Sequence, residues 1–110
     1  MATAADLREL ALALEGTTTA PHFDRTAFKV ARIYATLAAD GLSANFKFTL
    51  EEQERHCQQW PDAFTPIDNG WGRQGWTTVW LEDLRPRALK AALQTAWKHA
   101  QPKSKQPRKP

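Results

Sequence analysis

The sequence predicts an α+β fold, in which an antiparallel sheet of about five to six strands has helices packed on one face. The first observation is that residues 42–48 alternate between apolar and polar side chains. A strand with one buried and one wet face has this period, and such strands are typical of antiparallel sheets. The second is that segments with a helical apolar period precede, interrupt and follow the strand-forming region, an order that favours helices on one sheet face.

The first helix is expected over about residues 4–15, ended by Gly16. The residues at its helical apolar period, which should share one buried face, are Leu7, Leu10, Ala11 and Leu14. The β-branched residues 17–19 favour an extended chain, and residues 21–24 indicate a turn or a strand edge.

Two strands are predicted over residues 26–30 and 33–37, joined by a tight turn at residues 31–32. The Asp40-Gly41 pair is a strong hairpin signal, and it leads into the alternating strand 42–48.

The second helix should run from about residue 49 to residue 59, because Thr49 and Glu52 form a capping box. Its predicted inner face consists of Leu50, Cys57 and Trp60. Residues 70–75 hold three of the five glycines and are predicted to be a flexible loop that leads into a strand over 76–81.

Pro86 suits the first turn of a last helix. That helix has an apolar stripe made of Leu89, Ala92, Leu93, Ala96, Trp97 and Ala100. We therefore expect a single domain over residues 1–100. Residues 101–110 have no large apolar side chain and three prolines, so we expect a disordered basic tail there.

The chain has 15 Lys and Arg against 12 Asp and Glu, but the excess lies in the tail. Four basic residues fall in 101–110, which leaves 11 basic and 12 acidic residues in 1–100. The tail either keeps the protein soluble or adds a weak, salt-dependent attraction for phosphates. Cys57, the single cysteine, cannot form an internal disulfide, and no signal peptide or membrane span is apparent. We expect a soluble, cytoplasmic protein.

Catalytic and metal-binding motifs are absent from the sequence. The three histidines lie on different predicted elements, and His56 and Cys57 are neighbours on a helix, so their side chains diverge by about 100°. We therefore expect no enzymatic activity, no cofactor and no metal. His22 either fixes a corner of the sheet or has a functional role, and an enzyme pocket near His22 and Trp76 is the third hypothesis for function.

The face of the sheet that helices leave open is the strongest candidate for a binding surface. The side chains predicted to face the helices are Phe28, Ile33, Ala35, Leu37, Phe46 and Val79. Those predicted on the open face are Lys29, Tyr34, Thr36, Asn45, Lys47, Trp76, Thr78 and Trp80. Aromatic rings beside cations suit unpaired bases or a protein partner, unless the rings fold back under loops. The 70–75 loop is either a mobile wing or a tight turn with Trp71 packed.

Four segments in this order resemble the MmcQ/YjbR family: residues 21–23 (PHF), 28–37 (FKVARIYATL), 45–47 (NFK) and 71–77 (WGRQGWT). The resemblance covers about residues 5–100. It implies a frataxin (CyaY)-like α+β fold, similar to the double-wing domain of the phage transcription factor MotA. Members are generally assigned to DNA binding by analogy of fold, and the resemblance implies no catalytic residue.

The family motif positions carried by this sequence are His22, Phe28, Lys29, Asn45, Lys47, Arg73, Trp76 and Thr77. Frataxin-like iron binding is not implied, because Asp6, Glu9 and Glu15 are too sparse for an acidic ridge on the first helix.

We therefore expect a monomeric module that binds DNA or another nucleic acid through the open sheet face and the 70–75 wing. The predicted contacts are Lys29, Arg32, Tyr34, Asn45, Lys47, Arg73, Trp76 and Trp80, with His22 and Arg25 as further candidates. The alternative is a protein-interaction module that uses the same aromatic face.

Overall fold

The computed structural model of the protein describes residues 1–101, and it confirms the predicted α+β fold. Within this range the elements are helix α1 (Ala4–Leu12), strands β1 (Thr18–His22), β2 (Arg25–Lys29), β3 (Ile33–Leu37) and β4 (Ser43–Lys47), helix α2 (Leu50–Gln59), strand β5 (Phe64–Pro66), helix α3 (Gly70–Arg73), strand β6 (Trp76–Trp80) and helix α4 (Pro86–His99). The strands form one antiparallel sheet of six in the order β1-β2-β3-β4-β6-β5. The predicted tail from residue 102 onward lies outside the described residues.

The core lies between the sheet and the helices. Its buried residues from the sheet include Phe28, Ala35, Leu37, Phe46 and Val79, and those from α1 and α4 include Leu7, Ala11, Leu89, Leu93 and Ala96. Helix α1 ends at Leu12, before the predicted residue 15. The Leu14 amide donates a hydrogen bond to the Ala11 carbonyl oxygen, and this bond closes a tighter turn than that of an α-helix. Among residues 1–101, no helix is both long and apolar enough to cross a membrane.

The prediction of the inner face of α2 is partly wrong, because Leu50 is 56% exposed. The buried residue of this helix is Gln53. Its side-chain amide nitrogen lies 3.0 Å from the Gly72 carbonyl oxygen, 3.1 Å from Thr77 Oγ1 and 3.1 Å from the Trp76 carbonyl oxygen, and its two hydrogens are shared among these three acceptors. Since a buried amide costs free energy unless it is hydrogen-bonded, Gln53 fixes α2 against α3 and β6.

The predicted position of Tyr34 on the open face is also wrong. The register between β2 and β3 shifts between Phe28 and Lys29, so that Phe28 pairs with Ala35 but Lys29 pairs with Ile33. The extra residue, Tyr34, forms a β-bulge, which turns a side chain away from simple alternation. Tyr34 is fully buried on the helix side, and Ile33, predicted to face the helices, is instead paired with open-face Lys29.

The buried Tyr34 phenol is held by the segment that follows α1. Its hydroxyl lies 2.9 Å from Thr17 Oγ1 and donates to the Ala11 carbonyl oxygen at 3.5 Å. Burial raises the pKa of Tyr34 above its ordinary value, although the hydrogen bond with Thr17 acts in the opposite direction. The ring therefore anchors the end of α1 to the sheet and is not available to a ligand.

Residues 70–75, predicted to be a flexible loop, instead form the short helix α3 and a tight turn. Asn69 caps the helix by accepting a hydrogen bond from the Trp71 amide at 2.8 Å. A Cβ on Gly72 would lie 1.6 Å from the Ile67 carbonyl oxygen, and one on Gly75 would lie 1.8 Å from the Phe48 carbonyl oxygen. Two glycines therefore permit close backbone contact, and this contact places α3 against the sheet.

We predict that Gly72→Ala destabilises the protein by about 1–3 kcal/mol or more, because its methyl group has no space beside Ile67. Gly70→Ala is the matched control, since a Cβ there meets only the Arg73 side chain, at 3.8 Å. The free energy of unfolding from denaturant titration measures both. Equal losses for the two variants would contradict the close packing of α3.

Glu52 joins α2 to α4. Its Oε1 accepts a hydrogen bond from the Thr49 amide at 3.0 Å, and its Oε2 lies 2.7 Å from His99 Nε2. Burial by itself would raise the pKa of Glu52, but the hydrogen bonds from Thr49 and His99 hold it below the ordinary value of 4.5. A carboxyl group whose pKa is lowered by folding stabilises the fold above its unfolded pKa and loses that stabilisation as the pH falls through its folded pKa.

We predict that Glu52→Gln lowers the melting temperature by about 2–6 °C near pH 6, which corresponds to a loss of up to about 1 kcal/mol for a partly exposed pair. The difference from the parent protein should shrink as the pH falls below 4.5 and through the lowered pKa of Glu52. Glu51→Gln, which removes the same charge from the same helical turn, should have a smaller effect. A pH-independent difference for Glu52→Gln would contradict the assigned role of its carboxylate.

Candidate nucleic-acid interface

A cleft of about 330 Å³ lies on the open face of the sheet, between the β1–β2 turn and α3. The turn forms one wall, Thr36 and Asn45 of the central strands form the floor, and Trp71 and Trp76 form the opposite wall. The register accounts for this assembly, because His22 pairs with Arg25 and Thr36 with Asn45 across adjacent strands. Residues far apart in the chain thus meet on one face.

The β1–β2 turn presents an aromatic ring in an unusual backbone conformation. Phe23 and Asp24 form a two-residue hairpin loop between the paired residues His22 and Arg25. Phe23 has φ of 59°, a left-handed conformation that glycine normally supplies in such turns. Its ring contacts His22 edge-on, with centroids 5.0 Å apart, and is 94% exposed. The ring therefore stands at the rim of the cleft with almost no packing of its own.

The opposite wall is carried by α3 and held by β4. Trp71 lies in the first turn of α3 and is 60% exposed. The ammonium group of Lys47 donates to the carbonyl oxygen of Gln74, just after this helix, at 2.6 Å. Lys47 therefore helps to hold the wall, beside any role in contacting a ligand.

The floor of the cleft is polar and ordered by hydrogen bonds. The Arg25 guanidinium donates to Thr36 through Nε at 2.9 Å and through Nη2 at 3.3 Å, which leaves its Nη1 without a hydrogen-bond partner among residues 1–101. The Asn45 Oδ1 accepts from the Thr78 hydroxyl at 3.3 Å, so the amide nitrogen of Asn45 can donate to a ligand. Both groups are positioned before any ligand arrives.

A second hollow of about 320 Å³ adjoins the cleft, with Trp76 lining both, and the C-terminal end of α4 also lines it. Arg32 and Lys47 line this hollow together. Burial lowers the pKa of Lys47, and the nearby charge of Arg32 lowers it further. Two cations that oppose each other in this way favour an anion between or beside them.

Charge is distributed unevenly between the strands and the rest of the molecule. The six strands contain Arg25, Lys29 and Lys47 and no Asp or Glu. All 12 acidic residues lie on helices or connections between elements. The slight acidity of residues 1–100 therefore coexists with a sheet whose only formal charges are positive.

The structure brings together only part of the predicted site. Four of the predicted residues line the cleft, namely His22, Arg25, Asn45 and Trp76. Arg32 and Lys47 line the adjoining hollow. Lys29 and Trp80 are exposed at the other ends of β2 and β6.

One predicted contact lies apart from this group, another is buried, and the two aromatic residues on opposite sides of the cleft were not among the predicted contacts. Arg73 lines a different hollow together with Leu50 and Gln53 of α2. Tyr34 borders the hollow of Arg32 and Lys47, but its side chain is fully buried. Phe23 and Trp71 were not among the predicted contacts. For Phe23, an aromatic residue in a two-residue turn was a signal that could have found it.

Titratable side chains do not form a metal site in the described part of the chain. No group of three or more His, Cys, Asp or Glu residues there could hold a metal ion. In the cleft itself the charged side chains are Asp24 and Arg25, with His22 beside them. The arrangement offers aromatic surface, fixed hydrogen-bond donors and one guanidinium.

Comparison with known proteins supports one assignment. A search of the curated proteins finds no match. The crystal structure of a Deinococcus radiodurans protein with a DUF419 domain is similar, with 25% sequence identity and a TM-score of 0.73, over 87% of this chain and 76% of that one. The family model described as YjbR matches residues 12–99. This protein therefore belongs to the YjbR family.

Proposed function

We propose that the protein binds nucleic acid through the open face of its sheet and catalyses no reaction. The observation that carries the proposal is the segregation of charge, since the strands bear basic residues and no acidic ones. Sequence-independent attraction to nucleic acid comes from contacts between Lys or Arg and phosphates. A local basic surface is sufficient for this attraction, and the net charge of the whole domain is secondary.

The two hollows together offer a path for the sugar-phosphate backbone of a bound nucleic acid. Arg32 and Lys47 offer positive charge on one side of Trp76, and the aromatic cleft lies on the other. Proteins that bind single strands combine a cationic track with rings on which bases stack. Lys29 and Arg73 lie outside both hollows, and we propose them as peripheral phosphate contacts.

The absence of catalysis is part of the proposal and is supported by the composition of the cleft. Its lining includes no Cys, Ser or Lys, and the Thr36 hydroxyl accepts a hydrogen bond from Arg25. An activated nucleophile needs an adjacent base within hydrogen-bond reach. No hydrogen bond joins Thr36 to His22 or Asp24 among the described residues.

We predict that the double variant Lys29→Gln, Arg32→Gln binds a labelled DNA single strand more weakly than the parent protein. Its slope of log affinity against log salt should be lower by about 1.4, since each lost phosphate contact on a single strand removes roughly 0.7. Fluorescence anisotropy at several salt concentrations measures both quantities.

The matched control is Arg87→Gln, Lys90→Gln, which removes the same charge from exposed positions of α4. It should leave the slope unchanged. Equal effects of the two double variants would show that only net charge matters and would contradict a specific face. No binding at low salt, together with capture of a protein partner that Trp80→Ala abolishes, would favour the protein-interaction alternative.

A further inference from the structure

We infer that the cleft between Phe23 and Trp71 holds a single unpaired base, so that the protein prefers nucleic acid with an unstacked nucleotide over a continuous duplex. This inference rests on the proposed function and adds the class of ligand. Its support comes from the strained turn at Phe23, the near-neutral charge of the cleft, the size of the cleft and its fixed donors.

The turn at Phe23 is the first support. A left-handed backbone conformation is unfavourable for any residue with a Cβ, and for a bulky residue it is a clear outlier. Packing compensates for little of it, because Phe23 is 94% exposed and its ring contacts only the edge of His22 among the aromatic rings. Such strain persists at binding sites, where the strained residue meets a ligand. An exposed phenyl ring can contact a ligand that has a flat apolar surface.

The charge of the cleft is the second support. Asp24 and Arg25 both line it, so the cleft holds one carboxylate and one guanidinium and their formal charges cancel. A phosphate would be repelled by the carboxylate of Asp24, whereas an uncharged base would not. The phosphates are better placed on the adjoining hollow, where Arg32 and Lys47 have no acidic residue in the lining.

The volume and the donors are the third support. About 330 Å³ is at the lower end of the range for ligand sites, which suits one flat ring and not several. The free Nη1 of Arg25 and the amide nitrogen of Asn45 can donate to the ring acceptors of a base, while Phe23 and Trp71 offer stacking surfaces. Within a continuous duplex both faces of a base are already stacked, so its faces are available only when it is unpaired or flipped out.

The test compares two DNA duplexes with the same number of phosphates. Both carry one extra nucleotide in one strand, which has a base in the first duplex and is abasic in the second. We expect the parent protein to bind the first about 5- to 150-fold more tightly, which is the roughly 1–3 kcal/mol of one base stacked on aromatic rings. Anisotropy of a labelled strand at low salt measures both affinities.

The variants Phe23→Gly and Trp71→Ala should each reduce this base-dependent ratio. Phe23→Gly should also leave the melting temperature unchanged or raise it, because glycine relieves the strained turn. Arg32→Gln is the matched control, and it should weaken binding of both duplexes by the same factor and leave their ratio unchanged.

The outcomes separate this inference from the proposed function. Salt-dependent binding of both duplexes with equal affinity would overturn the base site and leave the nucleic-acid face standing. A preserved ratio in both Phe23→Gly and Trp71→Ala would also overturn the base site. No binding of either duplex at low salt would overturn the proposed function and this inference with it.

Discussion

The position of α3 is the constraint on which the candidate site depends. This helix has only four residues, too few to be stable by itself, yet it carries Trp71 and forms one wall of the cleft. It is held from behind by the buried amide of Gln53 and by backbone contacts that Gly72 and Gly75 permit, and from the sheet side by Lys47. If α3 detached, the cleft would lose the wall that carries Trp71.

The β-bulge at Tyr34 has a comparable influence on the other side of the sheet. It turns the only tyrosine into the core, where the ring anchors the end of α1, and it leaves no aromatic side chain of β3 on the open face. The aromatic surface is consequently gathered at the ends of the sheet, on the β1–β2 turn, α3 and β6. This distribution makes a cleft with aromatic walls and a polar floor.

Much of the fold could be predicted from the sequence, and less of the site. The alternation in residues 42–48 and the capping box at Thr49 are local signals, so β4 and α2 were placed well. The bulge at Tyr34 depends on the register between two strands, which local alternation does not contain. The ordered conformation of residues 70–75 depends on the close approach of Gly72 to Ile67 and of Gly75 to Phe48. Composition alone suggests a flexible loop.

The acidic balance of residues 1–100 follows from the chemistry of the helices. Asp6 and Glu52 complete capping boxes, and Glu51 lies in the first turn of α2, where negative charge complements the helix dipole. These acids serve the helical side of the molecule, and the strands contribute none. Net charge therefore reflects in part how the helices are capped, and it says little about the surface that a polyanion would meet. For a one-sided α+β fold, the informative quantity is the charge of each face taken separately.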